Sequence, residues 1–129
     1  MIVLDTSAWV DVAIDDAAPR LVEVLLSGGH WLVPEHFRTE AMNALRGLWL
    51  GRKITVETFD AATAQLIAAD LDVWPTAPLV PRMRQLADNA NAYDAAYIAL
   101  AEELGCALVS SDSKFIRIPG IRCQVIGFE

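Results

Sequence analysis

The sequence predicts an α/β protein built on a mainly parallel sheet. Short apolar runs rich in β-branched residues, beginning with Ile2-Val3-Leu4, alternate with helical patterns along the whole chain. The chain of 129 residues is 54% hydrophobic, enough for one domain with a real core. No internal repeat or low-complexity segment interrupts the alternation.

Ile2 to Leu4 reads as a buried strand, and Ala8 to Ile14 as the helix after it. A polar break from Asp15 to Pro19 precedes a helical face of Leu21, Val22, Val24, Leu25 and Leu26, stopped by Gly28-Gly29. His30 to Val33 is the second strand. Pro34 ends it and suits the first turn of a helix running to Trp49. Gly51-Arg52-Lys53 turns the chain into a helix from Thr55 to Asp70, with Thr55 as its cap, so the two helices form a hairpin. Leu71 to Pro75 reads as a short strand or an extended entry. A proline-marked loop over residues 76–81 leads to a short helix from Pro81 to Asp88. An almost wholly apolar helix follows Asn91, and Cys106 to Ser110 is the strand after it. Ile116 to Gly120 turns the chain, and Ile121 to Ile126 closes the sheet.

Composition excludes several classes. The apolar content and a mean hydropathy of +0.34 are unlike a disordered chain. No apolar run reaches the roughly 18 residues of a membrane span. Met1 to Asp5 lacks the basic flank of a signal peptide, so a cytoplasmic location with no membrane partner is expected. A net charge of −7 argues against nucleic-acid binding through a broad basic surface. It is compatible with carboxylates gathered around metal ions, whose charge supplies the local positive field. Cys106 and Cys123 lie in strand-like runs and read as small core residues. His30 and His36 lack the i, i+4 spacing of a helical metal pair and read as ordinary, partly exposed residues. Trp9, Trp31, Trp49 and Trp74 are scattered in apolar contexts, which suits packing better than base stacking.

Four acids stand out. Asp5 follows the first strand where a helix begins, and taken alone it reads more readily as a helix cap. Glu40 borders the apolar stripe Phe37, Ala41, Ala44, Leu45 and Leu48, with no Lys or Arg three or four residues away. A solvated helix flank would also explain it. Asp94 sits in the first turn of the most apolar helix, and Asp112 stands where the strand ending at Ser110 runs out. In a parallel sheet, ligands bind beyond the carboxyl ends of the strands, where Asp5 and Asp112 fall. Clustered carboxylates are costly unless neutralised, and Mg²⁺ or Mn²⁺ prefers oxygen ligands. Ions held by aspartates suit phosphodiester hydrolysis. No Cys/His cluster points to zinc.

The sequence resembles the PIN-domain family, and within it the VapC-type ribonuclease toxins of bacterial toxin–antitoxin pairs. The matching pieces occur in family order: Val3-Leu-Asp5-Thr-Ser-Ala-Trp-Val10; Val33-Pro34 with Glu40 in the next helix; Tyr93-Asp94-Ala-Ala-Tyr97-Ile-Ala-Leu-Ala-Glu102; and Leu108-Val-Ser-Ser-Asp112-Ser-Lys-Phe115. The resemblance implies a three-layer α/β/α sandwich with a central, mainly parallel sheet. It implies an endoribonuclease dependent on Mg²⁺ or Mn²⁺, inhibited by a cognate VapB-like antitoxin and commonly a homodimer. It places the acidic site at Asp5, Glu40, Asp94 and Asp112. Asp5 and Asp94 would carry the principal ion, and Glu40 and Asp112 would complete the pocket through waters or a second ion. Ser7 and Ser110 match small polar residues that would orient carboxylates or water. The chain departs from the pattern at one point: some relatives place a further acid near position 114, and here it is Lys114, a cation for a nearby phosphate. RNA would reach the site along a basic edge drawn from Arg46, Arg52, Lys53, Arg82, Arg84, Lys114 and Arg117.

Other classes fit less well. A phosphoacceptor receiver domain wants an acidic pair directly after the first strand, where this chain has Asp5-Thr6. A dehalogenase-type phosphatase wants D-x-D, where this chain has Asp5-Thr6-Ser7. A catalytically silent PIN module that only binds a partner is the remaining rival.

Overall fold

The computed structural model describes residues 1–27 and 29–127. β1 (Ile2–Leu4) leads into α1 (Thr6–Ala13) and α2 (Pro19–Ser27). β2 (Trp31–Pro34) is followed by α3 (Phe37–Leu50) and α4 (Val56–Ala68), then β3 (Asp72–Trp74). A 3₁₀ turn (Ala77–Leu79) runs into α5 (Val80–Gln85) and then α6 (Ala92–Leu104). β4 (Ala107–Ser110), a second 3₁₀ turn (Ser113–Arg117) and β5 (Val125–Gly127) complete the chain.

The strands form one sheet in the order β3-β2-β1-β4-β5, and every pairing is parallel. β1 is central: Ile2 stands opposite Trp31 on one side and Ala107 on the other. From β1 the chain steps outward to β2 and β3, then crosses back and steps the other way through β4 and β5. Right-handed crossovers in opposite directions put their helices on opposite faces of a sheet, giving three layers. α1, α3 and α4 pack on one another, while α6 lies against β1, β2 and β4 and carries α5. The direction reverses between β1 and β4, so a cleft opens above their carboxyl ends. Asp5 and Ser111-Asp112 leave the sheet at that point.

The core runs from Val3, Leu4, Leu32, Val33, Leu108 and Val109 of the strands to Phe37, Leu45, Ile98 and Leu100 of the helices. α6 is buried from Asp94 to Ala101, which explains its unbroken apolar sequence. Asn91 caps its start by accepting from the Asp94 amide at 2.9 Å. Gly105 ends it in the left-handed region at φ +64°, a conformation that glycine adopts without strain. No helix among the described residues is long and apolar enough to cross a membrane.

Several boundaries differ from the sequence reading. Pro34 is the last residue of β2, paired with Trp74, and α3 begins only at Phe37. Lacking an N–H, proline is tolerated at a strand end, where little of the ladder is lost. β2 starts at Trp31 and not His30, and α4 stops at Ala68 although Thr55 does cap it. Part of the proline-marked loop is a 3₁₀ turn, and α5 is shorter than the segment 81–88. The last strand covers only Val125–Gly127. Ile121 and Cys123 pack against the core before the strand begins, so their apolar character reflects burial and not pairing. Of the expected glycine stop after α2, Gly28 lies outside the described residues, and Gly29 has φ +71°.

Candidate functional site

Asp5 is the deepest acid, with only 5% of its surface exposed. It occupies the N-cap position of α1, yet its carboxylate makes no capping bond. Both of its hydrogen bonds come to Oδ2, from the hydroxyls of Ser7 (2.6 Å) and Ser110 (2.9 Å). These serines lie within 3.2 Å of each other and join β4 to α1. Ser7 Oγ also accepts from the Ser111 amide at 3.1 Å, and Ser110 Oγ from the Asp112 amide at 2.9 Å. The two ends of the reversal point are thus tied together beneath one carboxylate. Burial pushes the Asp5 carboxyl above its ordinary range, against the serine hydroxyls and the Lys114 charge, which lower it.

Glu40 has no local ion pair. Its Oε1 accepts from the Thr6 hydroxyl and, at 2.7 Å, from the Tyr97 hydroxyl. Tyr97 OH and Thr6 Oγ1 are themselves 2.6 Å apart. One cluster therefore joins α1, α3 and α6. Burial first, with Glu40 and Asp5 nearby, pushes the Tyr97 phenol far up, so it remains a donor. Asp94, in the first turn of α6, is 9% exposed and pairs through Oδ1 with Lys114 Nζ at 3.1 Å. Asp112 caps the following 3₁₀ turn, Oδ1 accepting from the Lys114 amide at 3.0 Å, while Oδ2 stands 3.4 Å from Lys114 Nζ. Burial pulls the Lys114 ammonium down, but Asp94 above all, then Asp112 and Asp5, bring it to a net rise.

Asp5, Glu40 and Asp94 line one cleft of about 380 Å³, together with Thr6, Ser7, Val10, Asp11, Ala44, Leu48 and Lys114. Asp112 lies beside this cleft and is joined to it through Lys114. Among the described residues no three acid, histidine or cysteine side chains are gathered closely enough to hold an ion as they stand. Neutral hydroxyls and one ammonium hold the carboxylates in their present positions.

Sequence reasoning missed three contributors. Thr6 and Tyr97 hold Glu40, and Tyr97 could pass for a core aromatic. Asp11 lies one turn beyond Ser7 on the cleft face of α1, and burial raises its carboxyl. Its i, i+4 spacing from Ser7 was a signal in the sequence. His36 is partly exposed, as expected, but its surroundings are not ordinary. It is half-buried, its ring edge-on to Tyr93 and Tyr97 at centroid distances of 5.4 and 5.3 Å, and its Nε2 has no hydrogen-bond partner among the described residues. Burial holds the imidazole below its usual range, against Glu40, Glu35 and Asp94. Arg82 is committed elsewhere: it pairs with Glu102 at 2.7 Å and donates to the Gly120 carbonyl. It therefore drops out of the expected basic edge.

The remaining expected roles are simpler. Trp9 belongs to the core, Trp31 donates to the Leu25 carbonyl, and Trp49 packs beside Phe59 at 5.4 Å. Both cysteines are free and half-buried.

A parallel sheet with acids at its reversal point defines a class, and comparison with known proteins agrees. The PIN domain family model matches residues 2–121, and the chain belongs to the PIN-domain family, in its VapC group. Ribonuclease VapC12 of Mycobacterium tuberculosis is 30% identical over 125 residues, covering 97% of each chain. The crystal structure of PAE2754 from Pyrobaculum aerophilum superposes with a TM-score of 0.72 at 18% identity, over 96% of this chain and 81% of that one. VapBC2 from Rickettsia felis, solved bound to a DNA fragment from its promoter, superposes with a TM-score of 0.68 at 15% identity over the full length of both chains.

Proposed function

We propose that this chain is an endoribonuclease, the toxin of a toxin–antitoxin pair, and that its cleft works with Mg²⁺ or Mn²⁺. One observation carries the reading: the buried Asp5 carboxylate is oriented by two neutral hydroxyls and shares a cleft with Glu40 and Asp94. A carboxylate left uncompensated in this way is a poor structural element and a good cation ligand. The donor set is all oxygen, which fits a hard divalent ion. When bound, such an ion supplies an activated water and stabilises the oxygen that leaves phosphorus.

The chain's own residues do the positioning. Asp5 and Asp94 would hold the ion. Ser7 and Ser110 fix the Asp5 carboxylate in one rotamer, and Thr6 and Tyr97 fix Glu40. Glu40 accepts the proton of the attacking water. In the hydrolysis, oxygen from water bonds to phosphorus, the bond to the leaving ribose oxygen breaks, and that oxygen gains a proton. Val10, Ala44 and Leu48 form an apolar wall that strengthens these charges.

The relatives' names support ribonuclease activity. Structural neighbours solved as VapBC complexes support a VapB-like antitoxin as partner. An RNA substrate and an antitoxin partner favour a cytoplasmic site of action, and the reading takes the toxin as a homodimer, which light scattering would measure. The test is RNA cleavage with Mg²⁺ or Mn²⁺ by the wild type and by Asp5→Asn. Equal activity refutes the site. Loss of cleavage in EDTA, restored by Mn²⁺, distinguishes the enzyme from a silent binding module.

A further inference from the structure

We infer that Lys114 takes the place of a second cation, so that the cleft binds one divalent ion and not two. The inference rests on the metal-dependent reading above and concerns how this chain modifies it. Lys114 Nζ bridges Asp94 Oδ1 at 3.1 Å and Asp112 Oδ2 at 3.4 Å, and it lines the same cleft as Asp5. Its backbone is fixed as well. The Lys114 amide donates to Asp112 Oδ1 at 3.0 Å, and the next residue, Phe115, is fully buried. The ammonium is therefore tethered over the acids by the fold, unlike a surface lysine that meets a carboxylate by chance.

The geometry favours one ion. Asp5, Asp11, Glu40 and Asp94 line the cleft with Asp112 beside it, and the Lys114 ammonium already spans Asp94 and Asp112. A second divalent ion on that pair would need their oxygens at roughly 2.0–2.1 Å. It would have to displace the ammonium from both. Asp5 and Asp94 remain for the first ion, since Asp5 makes no ion pair with Lys114 and Asp94 offers its other oxygen. In a two-ion nuclease site, the second ion steadies the leaving oxygen. Here the ammonium supplies that positive charge, held in place by the chain.

The experiment is Mn²⁺ titration of the full chain by calorimetry, without RNA, with electron paramagnetic resonance as a second readout. Wild type and Lys114→Arg should each bind one ion and give the signal of an isolated Mn²⁺. Lys114→Gln should bind a second ion and show spin coupling. Lys114 is half-exposed, and matching circular dichroism spectra would confirm that the variants fold. Two ions in wild type overturn the inference and leave the metal-dependent nuclease intact. One ion in Lys114→Gln also overturns it. No Mn²⁺ on wild type overturns both this inference and the metal-dependent reading.

Discussion

Asp5→Asn should make the protein more stable while it removes activity. The carboxylate is 5% exposed, its direct partners are two uncharged hydroxyls, and burial raises its pKa above the ordinary 3.8. An amide keeps an acceptor oxygen for Ser7 and Ser110 and discards the buried charge. Relieving such a functional compromise is worth about 1–2 kcal/mol. Unfolding entropy near 2.1 cal/mol/K per residue gives, for 129 residues, a rise in Tm of about 4–7 °C. The sign with pH follows. A folded pKa above 3.8 means that the folded protein binds this proton more tightly than the unfolded chain. The wild type therefore loses this contribution as pH rises through the folded value, and below 3.8 the two states no longer differ. Melting curves in EDTA should show the variant ahead at pH 7, with the gap closing in acid. Cleavage should fall by two to three orders of magnitude, about 3–4 kcal/mol of lost transition-state stabilisation. A variant that melts below the wild type at neutral pH, or a gap indifferent to pH, would refute the argument that Asp5 is kept at a cost in stability.

Other perturbations have equally definite outcomes. Ser110→Ala strips a donor from Asp5 and leaves the Asp112 amide unpaired, so chemical denaturation should show a loss of about 2–4 kcal/mol. Tyr97→Phe removes the phenol from Glu40 and Thr6; stability should fall by about 1 kcal/mol and cleavage by about tenfold, seen in kcat more than KM. His36 has a folded pKa below 6.5, so the unfolded chain binds its proton more tightly and stability drops as pH falls below 6.5. His36→Phe should flatten the Tm–pH curve there, and an unchanged slope would assign the acid sensitivity elsewhere. Ile98→Asn should unfold the protein at ambient temperature, whereas Asp94→Asn should abolish cleavage and leave the circular dichroism spectrum intact.

Much of this was legible in the sequence because burial and topology write themselves into apolar periodicity. The run Ile2 to Leu4, the apolar helix after Asn91 and the strand expected from Cys106 to Ser110, which begins at Ala107, are all elements of the structure, nearly at their expected bounds. Asp5 and Asp112 could be placed because a residue after a parallel strand has nowhere to go but the carboxyl edge. What the sequence hid was pairwise contact. Thr6 and Tyr97 lie 91 positions apart and meet only when α6 crosses the sheet, so no local pattern marks them. His36 acquired its burial from Tyr93 and Tyr97, again across the fold. The last strand shortened because an apolar run records burial and not register, and only Val125–Gly127 align with β4.

The partners chosen for the acids explain how an acidic protein can keep such a cluster. Had Arg residues paired Asp5 and Glu40, the carboxylates would be neutralised and fixed in the free protein, with little pull left for a cation. Hydroxyl donors from Ser7, Ser110, Thr6 and Tyr97 orient the same oxygens while leaving their charge in place. The negative potential is thus stored in a defined geometry, and the rigid α6 and β4 carry the cost of holding it. The single exception, Lys114, sits over Asp94 in the cleft and Asp112 beside it. With a net charge of −7, the body of the protein repels RNA, so the approach of a phosphate depends on positive charge at the cleft itself. Affinity for RNA should therefore weaken with added salt only as steeply as a few contacts allow, and Lys114→Gln should make that salt dependence shallower.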